Sequence, residues 1–212
     1  MMEIIDLHDE DLTTVPEWVF DHPEVQKLIL SGNNLKRIPD TISVLVNLQE
    51  LYIDENELDQ LPATLSQLKS LRKLTLDSNI FSTIPRCVFG LTNLNTLSLS
   101  DTRVEIIPDD ISNLKHLQQL FLDGNQLNSL PISLFSLTKL HTLVVDNNEL
   151  EFIPSEIGNL KHLRRFSAKM NSLTTLPSEL CQCSQIEVLI VSHNKLKQLP
   201  SNINTLTKTQ NT

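Results

Sequence analysis

One pattern of 23 residues occurs nine times along the chain, without an insertion or a deletion between copies. The copies begin at Met2, Val25, Leu48, Leu71, Leu94, Leu117, Leu140, Leu163 and Ile186. They share the form L-x-x-L-x-L-x-x-N-x-L-x-x-L-P-x-x-I-x-x-L-x-x, as in LQQLFLDGNQLNSLPISLFSLTK from Leu117 to Lys139. A fixed period of this length is typical of a solenoid, in which each repeat packs on its neighbours. We therefore expect one elongated domain over residues 1–212.

The prolines support a single domain of regular repeats. Nine of the ten prolines occupy the fifteenth position of a copy, where a recurring proline is typical of a turn rather than of a flexible linker. The predicted repeats are 2–24, 25–47, 48–70, 71–93, 94–116, 117–139, 140–162, 163–185 and 186–208, followed by a polar tail at 209–212.

Each repeat combines a strand spacing with a helical spacing. Its first part alternates apolar and polar residues, which predicts a short strand with one buried face. In the copy that starts at Leu117, for example, Leu120 and Leu122 are predicted to point inwards. After the Leu-Pro pair the spacing becomes I-x-x-L-x-x-L, which predicts a short helix or 3₁₀ segment. Stacking then gives a parallel sheet on one side and helical segments on the other.

An asparagine recurs at the ninth position in seven of the nine repeats, and the exceptions are Glu10 and Thr102. A buried amide at a tight bend can bond to backbone groups of its own turn and of the neighbouring turns. We therefore expect these asparagines to stabilise the stack from inside.

These residues resemble those of the leucine-rich-repeat family over essentially the whole chain. The form L-x-x-L-P-x-x-I-x-x-L-x-x-L is similar to the 23-residue intracellular subclass found in Ras-pathway scaffolds, Ras-suppressor-like proteins and bacterial leucine-rich-repeat proteins. The resemblance implies an α/β fold: a right-handed horseshoe solenoid with a concave parallel sheet and short helical or 3₁₀ segments on the convex side. It also implies a non-catalytic module that binds a partner protein through the concave face.

Composition argues against several other functions. The formal net charge of −9 disfavours binding to nucleic acid or to an anionic membrane, because both need clustered lysine and arginine. The three cysteines are too few and too scattered for paired extracellular caps, so we expect a cytoplasmic protein. Cys183 is predicted to be a small buried residue, whereas Cys87 and Cys181 are predicted at more exposed convex positions.

We expect neither a cofactor, nor a metal site, nor catalytic residues. The sequence lacks a P-loop, a G-x-S-x-G turn, an H-E-x-x-H motif and a C-x-x-C motif, and its six histidines do not converge. Two alternatives remain open. The chain could be the recognition subunit of an enzyme supplied in trans, or a secreted pathogen effector that binds a host protein.

The variable outward positions of the strands are the expected binding residues. The fifth position places Ile29 beside Tyr52 and Phe121 beside Val144 in neighbouring repeats. An exposed aromatic side chain beside an aliphatic one is typical of an interface anchor. Alternatively, such residues only satisfy β propensity.

The seventh position is acidic in several repeats, and the carboxylates of this track are Asp54, Asp77, Asp123 and Asp146. Such a track could bind a basic segment of a partner, or each carboxylate could bond to the following turn. Arg164, Arg165 and Lys169 are interpreted as a basic patch beside this track, which could fix the direction of a bound peptide or remain solvated.

The C-terminal end is predicted to lack a cap. The last regular strand, at 189–191, should then expose an unpaired edge, which favours either fraying or a weak homodimer through this end.

The outward residues of the strands are expected to contribute little to stability. We expect replacement of Thr75 or Ser98 to change the free energy of unfolding by less than about 0.5 kcal/mol.

Overall fold

Ten short strands and nine 3₁₀ helices alternate along the described part of the chain. The computed structural model describes residues 3–206 and the backbone of residues 210–211. The strands β1 to β10 are Ile4–Asp6, Lys27–Ile29, Glu50–Tyr52, Lys73–Thr75, Thr96–Ser98, Gln119–Phe121, Thr142–Val144, Arg165–Ser167, Val188–Ile190 and Gln210–Asn211. The helices η1 to η9 are Glu17–Asp21, Asp40–Val44, Ala63–Gln67, Arg86–Gly90, Asp109–Asn113, Ile132–Ser136, Ser155–Asn159, Ser178–Gln182 and Ile203–Thr205.

All the strands belong to one parallel sheet in chain order, so the predicted solenoid is confirmed. The register advances by one repeat at each strand: Leu120 pairs with Leu97 on one side and with Leu143 on the other. The helical segments are 3₁₀ rather than α, one in each repeat of the described residues. The predicted first residue Met2 and the predicted end of the last repeat, Lys208, lie outside the described residues, as do Thr209 and Thr212 of the tail.

The core lies between the sheet and the 3₁₀ layer and follows the repeated leucines. Leu120, Leu122 and Leu143 are completely buried, as predicted for inward strand positions. Phe166 and Ala168 are also completely buried, where the other repeats mostly have aliphatic residues. This exchange of a large and a small side chain roughly preserves the core volume.

The ninth-position asparagines form the predicted internal ladder. The Asn56 amide nitrogen donates to the carbonyl oxygens of Leu30 at 2.9 Å, Ile53 at 3.3 Å and Asp54 at 3.0 Å. Its Oδ1 accepts a hydrogen bond from the Leu35 N–H at 2.9 Å. Because these bonds join consecutive repeats, the side chain satisfies backbone groups that the bend would otherwise leave unpaired.

The eighth position of every repeat adopts a left-handed backbone conformation, which the sequence pattern did not reveal. The φ values of these nine residues lie between 51° and 69°. They are Asp9, Gly32, Glu55, Ser78, Asp101, Gly124, Asn147, Met170 and His193. Only two are glycine, so composition conceals a backbone requirement that all the repeats share. The bend after each strand is therefore imposed by the stack and not by local preference.

Two expectations about the surface are wrong. The edge of β9 is not open, because the backbone of β10 pairs with it through Gln210–Val188 and Asn211–Leu189. The predicted homodimer through this end thus loses the open edge on which it was based. Cys181 is buried, with 9% of its surface exposed, because η9 packs beside η8, the helix that contains Cys181. Cys87 is half-buried, and Cys183 is completely buried as predicted.

Candidate functional site

The outward side chains of β1 to β9 form one continuous face, the concave face. The register brings Ile29 beside Tyr52 and Phe121 beside Val144, as the repeat spacing predicted. These residues end their strands, so they lie in one row across the sheet, with neighbours about 4.8 Å apart. The acidic seventh position lies next to this row along the chain.

The apolar part of this face is smaller than the sequence indicated. Phe121 is half-buried and keeps solvent contact, but only 7% of the surface of Val144 is exposed. A partner could therefore contact the ring of Phe121 directly but would find little of Val144. Phe121 therefore remains the candidate apolar anchor on the central strands.

Tyr52 belongs to a charged cluster and is not an open apolar anchor. The ammonium groups of Lys27 and Lys73 each lie 4.7 Å from the centre of its ring. Its hydroxyl donates to Glu50 Oε2 at 2.9 Å, and Lys27 forms an ion pair with the same carboxylate at 3.5 Å. Because cations over the ring and the bonded hydroxyl hold Tyr52 in place, it presents a rigid polar contact surface.

Three carboxylates of the acidic track bind the following repeat. Asp77 Oδ1 accepts hydrogen bonds from the Ser98 hydroxyl and from the Ser100 N–H, both at 2.6 Å. Asp54 accepts in the same way from Thr75 at 2.6 Å, and Asp146 accepts from the next repeat at 2.6 and 2.7 Å. These carboxylates thus support the alternative that the track bonds to the adjoining turn.

Asp123 differs from the other carboxylates of the track. The next repeat has Val144 where the others offer a hydroxyl, so that bond cannot form. Its carboxylate accepts instead from the Ser100 hydroxyl of the preceding repeat at 2.7 Å. The Asp123 carboxylate therefore keeps lone pairs that accept no hydrogen bond from the next repeat. Because it also lies next to Phe121, it is the part of the track best suited to bind a cationic group.

The expectation that Thr75 and Ser98 tolerate replacement assumed side chains without partners, and the structure contradicts that assumption. Their exposed fractions are only 7% and 6%, because neighbouring strands cover short side chains in this row. Each hydroxyl also donates to an aspartate, Thr75 to Asp54 and Ser98 to Asp77. Removing either hydroxyl would leave a partly desolvated carboxylate with one donor fewer.

The surroundings of Asp77 in the acidic track raise the pKa of its carboxyl group. Its pKa is raised from 3.8 to about 6, first by burial and also by the carboxylates of Asp54 and Asp123. The hydrogen bonds from Ser98 and Ser100 oppose this change without cancelling it. Part of the track therefore loses its negative charge in mildly acidic solution.

Relative to an Asp77→Asn variant, the wild-type protein is expected to gain stability as the pH falls from about 7 to about 4. A carboxyl group with a raised folded pKa binds its proton more tightly when folded, so unfolding releases that proton in this range. The effect is at most roughly 3 kcal/mol, and contact with solvent reduces it. Urea melts at several pH values measure it; identical pH profiles for the two proteins would contradict the raised pKa.

The predicted basic patch does not form as one cluster. Arg164 and Arg165 lie where β8 begins, whereas Lys169 follows the end of that strand, roughly 16 Å of chain further on. The backbone N–H of Lys169 donates to Asp146 at 2.7 Å, which places this residue among the acidic side chains. The two ends of the strands are thus different electrostatic environments.

No group of His, Cys, Asp and Glu in the described residues is arranged to hold a metal ion. Within the same part of the chain, no helix is long and apolar enough to cross a bilayer.

Two family models match the chain. One, described as a leucine-rich repeat region, matches residues 85–169, and the other, described as a leucine rich repeat, matches residues 23–81. A comparison with curated protein sequences found no match.

Several solved structures share this architecture. A leucine-rich-repeat protein of Leptospira interrogans is 30% identical, with a TM-score of 0.76, over 98% of this chain and 64% of that one. An internalin of Listeria monocytogenes is 22% identical, with a TM-score of 0.86, over 100% of this chain and 61% of that one, and shows a likeness of fold alone. A third structure is the leucine-rich-repeat ectodomain of a plant membrane receptor kinase from Arabidopsis thaliana, in complex with Casparian strip integrity factor 2. It is 27% identical, with a TM-score of 0.65, over 92% of this chain and 30% of that one. The chain spans less than two thirds of the length of each of these proteins.

Proposed function

Since this chain is a leucine-rich-repeat protein, we propose that it is a non-catalytic interaction module that binds a partner protein through its concave face. The observation that carries this proposal is the position of Phe121, a half-buried aromatic ring on a central strand beside the carboxylate of Asp123. Aromatic side chains at the centre of a surface supply a large share of binding energy, and adjacent charges set specificity. The plant receptor ectodomain in complex with a named factor is a precedent for binding by this architecture.

The charges of the concave face favour a partner segment that carries a basic residue. Asp54, Asp77 and Asp146 are engaged with the next repeat, but each retains contact with solvent. Asp123 adds a carboxylate with spare acceptor capacity. A lysine or arginine placed beside Phe121 would therefore meet a row of negative charge. A cytoplasmic location is proposed as well, because all three cysteine thiols are unpaired.

Reversal of the charge at Asp123 tests this proposal. With a partner isolated by affinity capture on the wild-type protein, Asp123→Lys should weaken binding at least about fivefold at low ionic strength. Added salt should shrink this difference, because screening weakens the attraction that the variant has lost. Titrations of the purified partner at several salt concentrations measure both effects.

Asp59→Lys is the matched control, since Asp59 is an exposed aspartate away from the concave face and its replacement changes the net charge equally. This control should bind within about twofold of wild type. Equal losses in the two variants would mean that only the total charge matters, and the concave-face proposal would then be wrong.

A further inference from the structure

The edge of the sheet where the strands begin carries a cationic strip, which the outward strand positions alone did not reveal. It consists of five basic residues from three consecutive turns: Lys115, Lys139, Lys161, Arg164 and Arg165. The histidines of the same turns, His116, His141 and His162, lie among them. No aspartate or glutamate occurs in the segments 115–119, 138–142 and 161–165 that form this edge. A protein with a net charge of −9 thus has three consecutive turns at this edge without an acidic residue.

Backbone hydrogen bonds hold these turns side by side. The N–H groups of Arg164 and Arg165 both donate to the His141 carbonyl oxygen, at 2.8 and 3.0 Å. The His141 N–H donates in turn to Gln118 of the preceding repeat at 2.8 Å. The rings of His141 and His162 are 6.2 Å apart in an edge-to-face arrangement. These bonds fix the backbone at Gln118, His141, Arg164 and Arg165, and the three lysines of the strip lie in the turns that lead into it.

The positive charges of the strip are not neutralised. Within the described residues, none of the five basic side chains forms an ion pair, and Lys161 donates only to the neutral amide of Gln182 at 3.1 Å. Burial lowers the pKa of His141, and so do the neighbouring side chains of Arg164 and His162. Like charges held together without a counter-charge destabilise the free protein, and an anionic ligand would relieve this repulsion.

At the same edge of an earlier repeat, the basic side chains bond to backbone carbonyl oxygens. Lys69 donates to the Gly90 carbonyl oxygen at 2.8 Å, and Arg72 donates to that of Asn93 at 3.1 Å. These basic side chains therefore have a structural partner in the next repeat. The hydrogen bonds of the described residues show no such partner for Lys115, Lys139, Arg164 or Arg165, so these four side chains are available to a ligand.

We propose that the cationic strip is a second docking surface, which binds an acidic peptide segment of a protein. Its three turns extend over about 10 Å, at about 4.8 Å per neighbouring strand, which a few acidic residues of an extended chain can match at about 3.3 Å each. Glu187 follows in the next repeat and ends the strip. Nucleic acid and anionic membranes fit less well, because both extend far beyond the strip, over neighbouring surface of a protein whose net charge is −9. Arg165, the first residue of β8, belongs to the concave face as well, but Phe121 and Asp123, on which the concave-face proposal rests, do not contribute to the strip.

A fluorescently labelled peptide of about six glutamates, long enough to span the strip at about 3.3 Å per residue, is the probe. Fluorescence anisotropy at low ionic strength compares the full chain with an Arg164→Glu, Arg165→Glu variant. We expect the variant to bind the peptide at least about fivefold more weakly, because two attractive charges become repulsive. The matched control is Arg86→Glu with Arg103→Glu, two exposed arginines away from the strip, and it should stay within about twofold of wild type.

Circular dichroism and urea melts must first show that both double variants are folded. If Arg164→Glu with Arg165→Glu fails to fold, Lys115→Glu with Lys139→Glu replaces it, with the same expected loss. Equal loss in the strip variant and the control overturns the proposal, as does an absence of peptide binding by wild type. Tighter binding to phosphatidylserine vesicles or to single-stranded DNA than to the peptide also overturns it. Phe121→Ala should leave peptide binding unchanged, so failure here is distinguishable from failure of the concave-face proposal.

Discussion

Replacement of Leu120 with alanine is expected to lower the free energy of unfolding by about 2–5 kcal/mol. Leu120 is completely buried and lies between Leu97 and Leu143 of the neighbouring repeats, which are also completely buried. Truncation would remove apolar contacts and leave a cavity that the flanking repeats cannot fill, because their backbones are joined by the parallel sheet. Urea unfolding followed by circular dichroism measures the change.

Gln119→Ala is the matched control for this prediction. Gln119 precedes Leu120 in the same strand, but its side chain is exposed and accepts one surface hydrogen bond from Thr96 at 3.1 Å. Its replacement should change the free energy of unfolding by less than about 0.5 kcal/mol. Similar losses in the two variants would mean that the inward and outward positions of the strands are assigned incorrectly.

The sequence was sufficient to predict the solenoid because its repeat is a physical constraint at several levels. The leucine spacing gives a strand with a single buried face, and the same spacing returns 23 residues later, so Leu120 must lie beside Leu143. The asparagine at the ninth position adds a buried amide that joins consecutive turns, as Asn56 shows. Periodicity and hydrogen-bonding capacity therefore both led to the same architecture.

The binding surface was less predictable, because its properties depend on contacts between repeats. The strand pattern places the hydroxyl groups of Thr75 and Ser98 at outward positions, but an aspartate of the preceding repeat accepts a hydrogen bond from each one. The strand position of Val144 predicts an exposed side chain, yet its neighbours cover it. These effects depend on the size of the side chains in adjacent strands, which the repeat pattern leaves free.

The cationic strip could have been found in the sequence by a different alignment of the same repeats. Lys161 is the second-last residue of the repeat 140–162 and Arg164 belongs to the next, so a comparison of positions within single repeats separates them. If the last residues of each repeat are read together with the first residues of the next, the basic residues of this edge become one row. The acidic residues then form a second row at the other end of the strands.

Loss of the Phe121 ring is expected to weaken partner binding at least about tenfold, the largest effect predicted for a single residue of the concave face. The ring is half-buried on β6, near the middle of the sheet, so a bound partner would exclude water from it. Because the neighbouring Val144 is almost fully covered, no other apolar side chain beside it can replace the lost contact.

The most direct test of the concave-face account compares Phe121→Ala with Ile132→Ala in titrations of the captured partner. Ile132 lies on η6 of the convex side, with 64% of its surface exposed, so it offers an apolar residue at least as accessible on the opposite layer. With both variants folded, the account predicts at least about a tenfold loss for Phe121→Ala and no more than about a twofold loss for Ile132→Ala. The reverse order, or wild-type affinity in both variants, would contradict it.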